Sequence, residues 1–190
     1  MTLAAGSLCS GYGGLDEAVC AFFGATLTWV ADNSPAAAKA LAARYPGVTN
    51  LGDISAVSWE TVEPPEIIVG GFPCQDVSLA GKLAGLAPGT RSGVWVYMAK
   101  AIGVLHPSLV VIENVRGLLS ARAHSNLEPC PWCVGEAGGK SLRALGAVLG
   151  DLASLGYDAE WEVVPASAAG GCHERKRVFI LAWPAAHTLG

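Results

Sequence analysis

Short apolar runs alternate with amphipathic segments along most of this chain. The strand-like runs lie near Leu3, Leu27, Ile67, Leu109, Glu160 and Val178, and the helix-like segments run from Leu15 to Phe23, Pro35 to Tyr45, Val94 to Leu105 and Ser141 to Leu155. Strands that alternate with helices predict a three-layer α/β fold, in which helices cover a central sheet. Pro35 at a helix start and Gly156 just past a helix end agree with this assignment.

One cysteine follows an apolar run directly, in the turn Gly70-Gly71-Phe72-Pro73-Cys74-Gln75. Catalytic groups are commonly displayed in such Gly/Pro turns, whereas a structural cysteine normally lies inside an apolar run. Cys74 is therefore a candidate nucleophile. On this local pattern alone, a small turn residue is the preferred explanation.

A carboxylate and an amide, Glu113 and Asn114, occupy the end of the run Leu109 to Val115. In an open parallel sheet the ligand crevice lies beyond the carboxyl ends of the strands, so Cys74 and Glu113 are expected to share one pocket. A thiol and a carboxyl group at one site predict covalent attack assisted by proton transfer. The alternative for Glu113 is a helix cap or a surface carboxylate.

A glycine-rich loop, Ser10-Gly11-Tyr12-Gly13-Gly14, joins the first strand to the first helix. Cofactor loops of nucleotide-binding α/β folds take this position, where the backbone approaches the ligand closely. An ordinary tight turn is the alternative. Asp32 ends the second strand about 20 residues downstream, the spacing at which an acidic residue binds ribose hydroxyls, and this favours a cofactor site.

These motifs, taken together, resemble those of the DNA (cytosine-5) methyltransferase family over nearly all of the chain. In chain order the matching segments are Ser10 to Gly14, Asp32 with Asn33, Gly52-Asp53-Ile54, Gly71-Phe72-Pro73-Cys74-Gln75, Gly89-Thr90-Arg91-Ser92-Gly93, Glu113-Asn114-Val115 and His173 to Phe179. The resemblance implies a Rossmann-like methyltransferase fold, S-adenosylmethionine as cofactor and a flipped-out cytosine in DNA as substrate. Related enzymes act on transfer RNA, so RNA remains an alternative substrate.

The resemblance also implies a role for each matching residue. Cys74 would attack carbon 6 of cytosine, and Glu113 would hold or protonate ring N3. Arg175 and Arg177 would supply positive charge, and an extended chain would place both guanidinium groups on one face. The cofactor residues would be Ser10, Gly11, Tyr12, Gly13, Gly14, Asp32, Asn33, Asp53, Ile54 and Pro73. The substrate contacts would come from Gln75, Ser78, Arg91 and Asn114.

Two departures from the family pattern affect these expectations. Cys9 lies where the family usually has an aromatic residue against the adenine of the cofactor. The sequence reaches Gly190 soon after the motif that contains Arg177, with no evident target-recognition region or final motifs. We therefore expect a shortened methyltransferase. The alternative is a catalytic fragment or cofactor-binding subunit that needs a partner chain to recognise DNA. A nicotinamide-dependent enzyme would leave Cys74 and Glu113 unexplained.

The segment from Arg122 to Lys140 departs from the alternation of strands and helices. It is polar and rich in glycine and proline, which predicts an inserted loop over 122–140. Cys130 and Cys133 have the spacing of half a zinc site, and no second pair is present. Other ligand types nearby are limited to His124, Cys172 and His173. A closed zinc site needs four ligands, so we expect no metal.

Composition and charge limit the remaining possibilities. With 190 residues and 52% hydrophobic content, the chain is long enough for one catalytic domain over residues 1–190. No apolar run approaches the ~20 residues of a membrane span, and Met1 to Leu8 lacks the positive start of a signal peptide. The chain has six cysteines, and the candidate nucleophile among them must stay reduced. This indicates the cytoplasm of a bacterial or phage-infected cell. The net charge of −4 argues against stable duplex binding by this chain alone.

Overall fold

The computed structural model describes residues 2–72, 94–120, 122–123 and 142–186, with only the backbone described at 122–123 and 142–143. The strands and α-helices are β1 Ala4–Leu8, α1 Gly14–Phe23, β2 Thr26–Ala31, α2 Pro35–Arg44, β3 Thr49–Asn50, β4 Ile67–Gly70, α3 Val94–Leu105, β5 Leu109–Val115, β6 Arg122–Ala123, β7 Leu142–Arg143, α4 Ala144–Ser154, β8 Tyr157–Pro165 and β9 Lys176–Pro184. Every helix and strand that the alternation predicted is present, but the helix predicted from Ser141 begins at Ala144, because 142–143 form β7. In the described ranges no helix is long and apolar enough to cross a membrane.

Seven strands form one mixed sheet in the order β3-β2-β1-β4-β5-β9-β8. The first five strands of this order are parallel, so β1, β2, β4 and β5 end at the same edge. β9 runs antiparallel to both β5 and β8, which the sequence did not predict. Because of this reversal, the start of β9 lies beside the end of β5, at the edge where the predicted site lies.

The helices lie on opposite faces of the sheet, which confirms the three-layer architecture. Trp95 and Ile102 of α3 and Leu152 of α4 pack against one face, in a cluster that includes buried residues of β4, β5 and β9. Val19 of α1 and Leu41 of α2 pack against the other face, over β1, β2, β4 and β5. The described residues of this second cluster include none from β8 or β9.

The predicted insert begins in a short antiparallel ladder. β6 at 122–123 pairs with β7 at 142–143, just before α4 begins. The remainder of the 122–140 segment, with His124, Cys130 and Cys133, lies outside the described residues. The structural role of the insert therefore stays a prediction.

Candidate active site

The glycine-rich loop presents backbone groups at the start of α1. Gly11 and Gly13 have φ of 56° and 79°, in the left-handed region that side chains disfavour. The Gly13 N–H donates to the Ser10 carbonyl at 2.9 Å and closes the turn. The N-cap residue of α1 is Gly13, which makes no side-chain capping hydrogen bond to the first turn. This arrangement suits an anionic ligand group.

Tyr45 holds the loop from the side of α2. Its hydroxyl donates to the Gly13 carbonyl at 2.9 Å. A Cβ at Gly13 would lie 2.6 Å from the Tyr45 ring, whereas a Cβ at Gly11 or Gly14 would meet no atom of the described residues within 4 Å. The loop is therefore packed against Tyr45 at one point and open at the positions that would face a ligand.

A set of hydrogen-bonded polar side chains connects the loop to β1 and α1. The Ser7 hydroxyl donates to Asp16 Oδ1 at 2.8 Å and lies 2.7 Å from the Ser10 hydroxyl. Asp16 is only 2% exposed, and its Oδ2 has no hydrogen-bond partner among the described residues. Burial raises the pKa of Asp16 to about 6, although the Ser7 hydrogen bond and the charge of Arg44 act to lower it. Sequence reasoning missed Asp16, because an acid in the first turn of a helix normally marks a solvated surface position.

Two carboxylates lie beside the loop at the ends of neighbouring elements. Asp32 accepts hydrogen bonds from the Gly11 N–H at 2.9 Å and from the Ser34 N–H at 2.9 Å. Asp53 accepts from the Asn33 side-chain amide at 2.9 Å. Hydrogen bonds from the hydroxyl and the N–H of Ser55, and to a smaller extent from the Asn33 amide, lower the pKa of the Asp53 carboxyl group. Each carboxylate retains acceptor capacity for ligand hydroxyl or amino groups.

Cys9 lies between these acidic groups and is not an activated thiol. It has a φ of 54°, and its N–H donates to the Ala31 carbonyl at 2.8 Å. Burial, and then the negative charges of Asp32 and Asp53, raise the pKa of the Cys9 thiol to about 12. Because only the thiolate is a strong nucleophile, Cys9 is unsuited to covalent catalysis.

Glu113 and Arg177 form an ion pair at the end of β5. Arg177 Nε lies 2.5 Å from Glu113 Oε1, and the two side chains are 20% and 32% exposed, respectively. Val115 is opposite Arg177 in the antiparallel register, so the arginine reaches diagonally along the strand to Glu113. The sequence predicted both residues for the site. It did not predict their pairing, because the pairing depends on the direction of β9.

The exit of β4 is held against the end of β5. A Cβ at Gly71 would lie 3.0 Å from the Glu113 carbonyl oxygen and 3.3 Å from its Oε2, so Gly71 permits this close approach. The buried Asn114 side-chain amide donates to the Phe72 carbonyl at 3.1 Å. Phe72 itself is buried, with its ring 5.5 Å from the ring of Trp95. The chain that leads into the predicted catalytic turn is therefore fixed beside Glu113.

Some of the remaining predicted site residues lie outside the described residues and others lie within them. Pro73, Cys74, Gln75, Ser78 and Arg91 lie outside the described residues.

Among the described ones, Tyr12 is 67% exposed, and Ile54 is buried in the core. Arg175 precedes β9, is exposed and forms no ion pair with another residue of the described ranges. Within those ranges no group of three potential ligands is placed to hold a metal ion.

Comparison with known proteins agrees with this arrangement. Residues 3–187 match the model of the C-5 cytosine-specific DNA methylase family. Type II methyltransferase M.NlaIV of Neisseria lactamica is 32% identical over 146 residues, which are 77% of this chain and 32% of that protein. A DNA N-6-adenine-methyltransferase of Escherichia phage P1 is 35% identical over 130 residues, or 61% of this chain and 17% of that protein.

Solved structures show the same fold. The Dnmt2 methyltransferase of S. pombe superposes with a TM-score of 0.70 at 17% identity, and the match covers 96% of this chain and 51% of that one. The chain thus spans about a third of the length of the M.NlaIV relative and about half of this solved structure. The family model matches nearly the whole chain, and we conclude that the chain belongs to the C-5 cytosine-specific DNA methylase family.

Proposed function

We propose that this chain is the catalytic part of a DNA (cytosine-5) methyltransferase that uses S-adenosylmethionine. The observation that supports this most strongly is the attachment of the β4 exit to the end of β5, through Asn114 and Phe72. Cys74 follows Phe72 by two positions, and two residues of chain span at most about 7 Å. The proposal therefore places the candidate nucleophile near the Glu113–Arg177 pair.

The residues around the glycine-rich loop fit the proposed cofactor. The uncapped start of α1 would receive its carboxylate, and Asp32 and Asp53 would accept hydrogen bonds from its hydroxyl and amino groups. Ser10, Gly11, Tyr12, Gly13, Gly14, Asn33, Ile54 and Pro73 complete the proposed cofactor set. When bound, S-adenosylmethionine supplies an electrophilic methyl group. Cys9 offers no ring for the adenine to stack on, so the carboxylates would carry more of its recognition.

The chemistry of the substrate explains the need for a thiolate and a carboxyl group. Carbon 5 of cytosine is a poor nucleophile. Addition of the Cys74 thiolate to carbon 6 forms an S–C bond and moves the ring double-bond electrons toward carbon 5 and N3. Glu113 would hold or protonate N3 as charge develops there. After methylation, loss of the carbon 5 proton and expulsion of Cys74 restore the ring.

Arg177 and several residues that follow Cys74 in the sequence have supporting roles in this proposal. The ion pair with Arg177 orients Glu113 so that Oε2 lies toward Gly71. Arg177 is also available to the cytosine carbonyl, and Arg175 to a phosphate. Gln75, Ser78, Arg91 and Asn114 would contact the substrate, which must leave the stacked duplex before carbon 6 is accessible.

The net charge favours a second candidate, a catalytic or cofactor-binding subunit that recognises DNA only with a partner chain. The net charge is −4. Affinity for DNA depends strongly on Lys and Arg contacts to phosphates. Both candidates use the same cofactor site.

A methyl-transfer assay on mixed-sequence DNA tests these proposals. Labelled S-adenosylmethionine is supplied to the wild-type chain, to Cys74→Ala and to the control Cys172→Ala, and the product base is identified by mass spectrometry. We expect 5-methylcytosine from the wild type and the control, and none from Cys74→Ala.

Each other outcome has a distinct meaning. Cofactor binding without transfer supports the second candidate. Absence of both binding and transfer contradicts both candidates. N6-methyladenine as product would overturn the cytosine assignment, and preference for an RNA substrate would overturn the DNA assignment.

A further inference from the structure

A chain of hydrogen bonds leads from the core of the protein to the glycine-rich loop. Asp16 Oδ1 lies 2.8 Å from the Ser7 hydroxyl, and the Ser7 hydroxyl lies 2.7 Å from the Ser10 hydroxyl. Ser7 and Asp16 are buried, with exposures of 0% and 2%, whereas Ser10 is half-buried. Ser10 is therefore the most accessible member of this Asp16–Ser7–Ser10 chain.

The number of hydrogens in the chain limits how its members can bond. Each serine hydroxyl carries one hydrogen, and an ionised carboxylate carries none and can only accept. When Asp16 is ionised, the Ser7 hydroxyl donates to it, so the Ser10 hydroxyl must donate across the 2.7 Å contact with Ser7. A second inward acceptor, the Ser7 carbonyl, lies 3.4 Å from the Ser10 hydroxyl. With its only hydrogen turned inward, Ser10 offers a ligand nothing but lone pairs.

Protonation of Asp16 reverses the direction of the chain. A proton on Oδ1 is donated to the Ser7 hydroxyl, and Ser7 can then donate to Ser10. The hydrogen of the Ser10 hydroxyl is thereby free to point outward, where it can bond to an anionic ligand group. A hydrogen bond to a charged acceptor is about twice as strong as one between neutral groups. The loop therefore suits a carboxylate best when Asp16 carries a proton.

The surroundings of Asp16 allow this proton to bind and leave near neutral pH. Its Oδ2 has no hydrogen-bond partner among the described residues, and burial raises the pKa of the carboxyl group to about 6. The charged or titratable groups around it are Glu17 and Cys20 on α1, and Arg44 and Tyr45 at the end of α2. The strands β2 and β4, against which α1 packs, carry none. Asp16 also lines a groove of about 540 Å³ between α1 and α2, which gives solvent protons a route to the carboxyl group.

We propose that Asp16 is a positioning residue for the cofactor, which acts through Ser7 to turn the Ser10 hydroxyl outward as a donor to the cofactor carboxylate, so that cofactor binding takes up a proton. This inference rests on the proposed cofactor site. The proton comes from solvent, stays on Asp16 while the cofactor is bound and returns to solvent on release. No bond of the cofactor forms or breaks in this step. Affinity for the cofactor should therefore fall as the pH rises through the pKa of Asp16.

Calorimetry of cofactor binding to the full chain tests this proposal. S-adenosylmethionine is titrated at about pH 5 and about pH 7, and proton uptake is measured between them in two buffers with different ionisation enthalpies. In Asp16→Asn the amide can donate to Ser7 as a protonated carboxyl group does, and Ser10→Ala removes the outward hydroxyl. Asp158→Asn, at an exposed position, is the control. Decarboxylated S-adenosylmethionine, which lacks only the carboxylate, is the matched probe.

Wild-type affinity should be about three- to tenfold weaker at the higher pH, because only the protonated fraction of the chain is competent to bind. Binding between the two pH values should take up protons from the buffer. Asp16→Asn and Ser10→Ala should each bind equally at both pH values, without proton uptake, and Asp16→Asn should bind more tightly than the wild type at the higher pH. Asp158→Asn should follow the wild type, and the decarboxylated probe should bind the wild type equally at both pH values.

Other outcomes would overturn the proposal. If Ser10→Ala keeps the pH dependence, the charge of Asp16 acts through space and not through the hydroxyl. Wild-type binding that is independent of pH, or a dependence that Asp16→Asn or the decarboxylated probe retains, would refute this proposal and leave the proposed function intact. Absence of cofactor binding in every variant would refute both. If Asp16→Asn fails to fold, the comparison of the wild type with Ser10→Ala still decides.

Discussion

Two regions at the same edge of the sheet are held in place by different means. The loop from Ser10 to Gly14 is held largely through main-chain groups, which bond to Asp32, to Tyr45 and within the turn. The region where β4 and β5 end is held by side chains, namely the Glu113–Arg177 ion pair and the Asn114 amide. Changes in the first region should therefore affect stability and cofactor binding together, whereas changes at Glu113 should affect the reaction and leave cofactor binding unchanged.

Glu113→Gln should have the largest effect. The amide removes the ionisable carboxyl group and the ion pair with Arg177, and general acid–base groups commonly contribute about 10²- to 10⁴-fold to a rate. We expect labelled-methyl transfer to fall at least about 100-fold, with unchanged cofactor affinity in calorimetry. Glu162→Gln, at an exposed position on the same face, is the control. A parallel loss of cofactor affinity would show that the two regions are not separable.

Asp16→Asn should alter the pH dependence of stability. The folded-state pKa of about 6 lies above the ordinary 3.8, so the folded protein binds the proton more tightly than the unfolded one. Stability from this group is present below about pH 4 and is lost as the pH rises to about 6. The difference corresponds to about 3 kcal/mol at pH 7. The Asn side chain can still accept the hydrogen bond from the Ser7 hydroxyl, but it has no ionisable group.

Urea unfolding at pH 4 and pH 7 measures this effect. Relative to the wild type, Asp16→Asn should gain stability at pH 7 and gain nothing at pH 4. Asp158→Asn, at an exposed position, is the control and should follow the wild type at both values. Parallel wild-type and Asp16→Asn profiles would contradict the assignment of a buried carboxyl group with a raised pKa beside the loop.

Gly13→Ala tests the dependence of the loop on its backbone. A residue with a Cβ at a φ of 79° is strained, and the Cβ would lie 2.6 Å from the Tyr45 ring. We expect a loss of about 1–3 kcal/mol in unfolding free energy together with weaker cofactor binding. Gly150→Ala in α4, where a Cβ meets no atom within 4 Å, should stabilise the helix by up to about 1 kcal/mol. Thermal unfolding and cofactor titration of both variants are the measurements, and equal behaviour would refute the role of Gly13.

Glu17→Gln should have the smallest effect. Glu17 pairs with Arg44 beside the loop, but the two side chains are 60% and 43% exposed. Exposed ion pairs contribute at most about 1 kcal/mol, so we expect a change below about 0.5 kcal/mol in thermal unfolding. A larger loss would mean that side chains, and not only main-chain groups, hold the loop in place.

Much of the fold followed from local pattern, because apolar periodicity and capping residues act over short distances in sequence. The helix over Val94–Leu105 has the bounds that the pattern predicted, and α2 begins at Pro35. The antiparallel direction of β9 was not predicted, since the same alternating residues suit either direction. The Glu113–Arg177 pair depends on that direction and was missed for the same reason.

The sequence by itself determined which residues lie at strand ends and in the glycine-rich loop, and hence the proposed positions of Asp32, Glu113 and Cys74. These features depend on neighbours a few residues away. The tertiary structure alone decided that Asp16 is buried and that Arg177 bonds to Glu113. Burial and ion pairing depend on strand order and direction, which bring together groups that are distant along the chain.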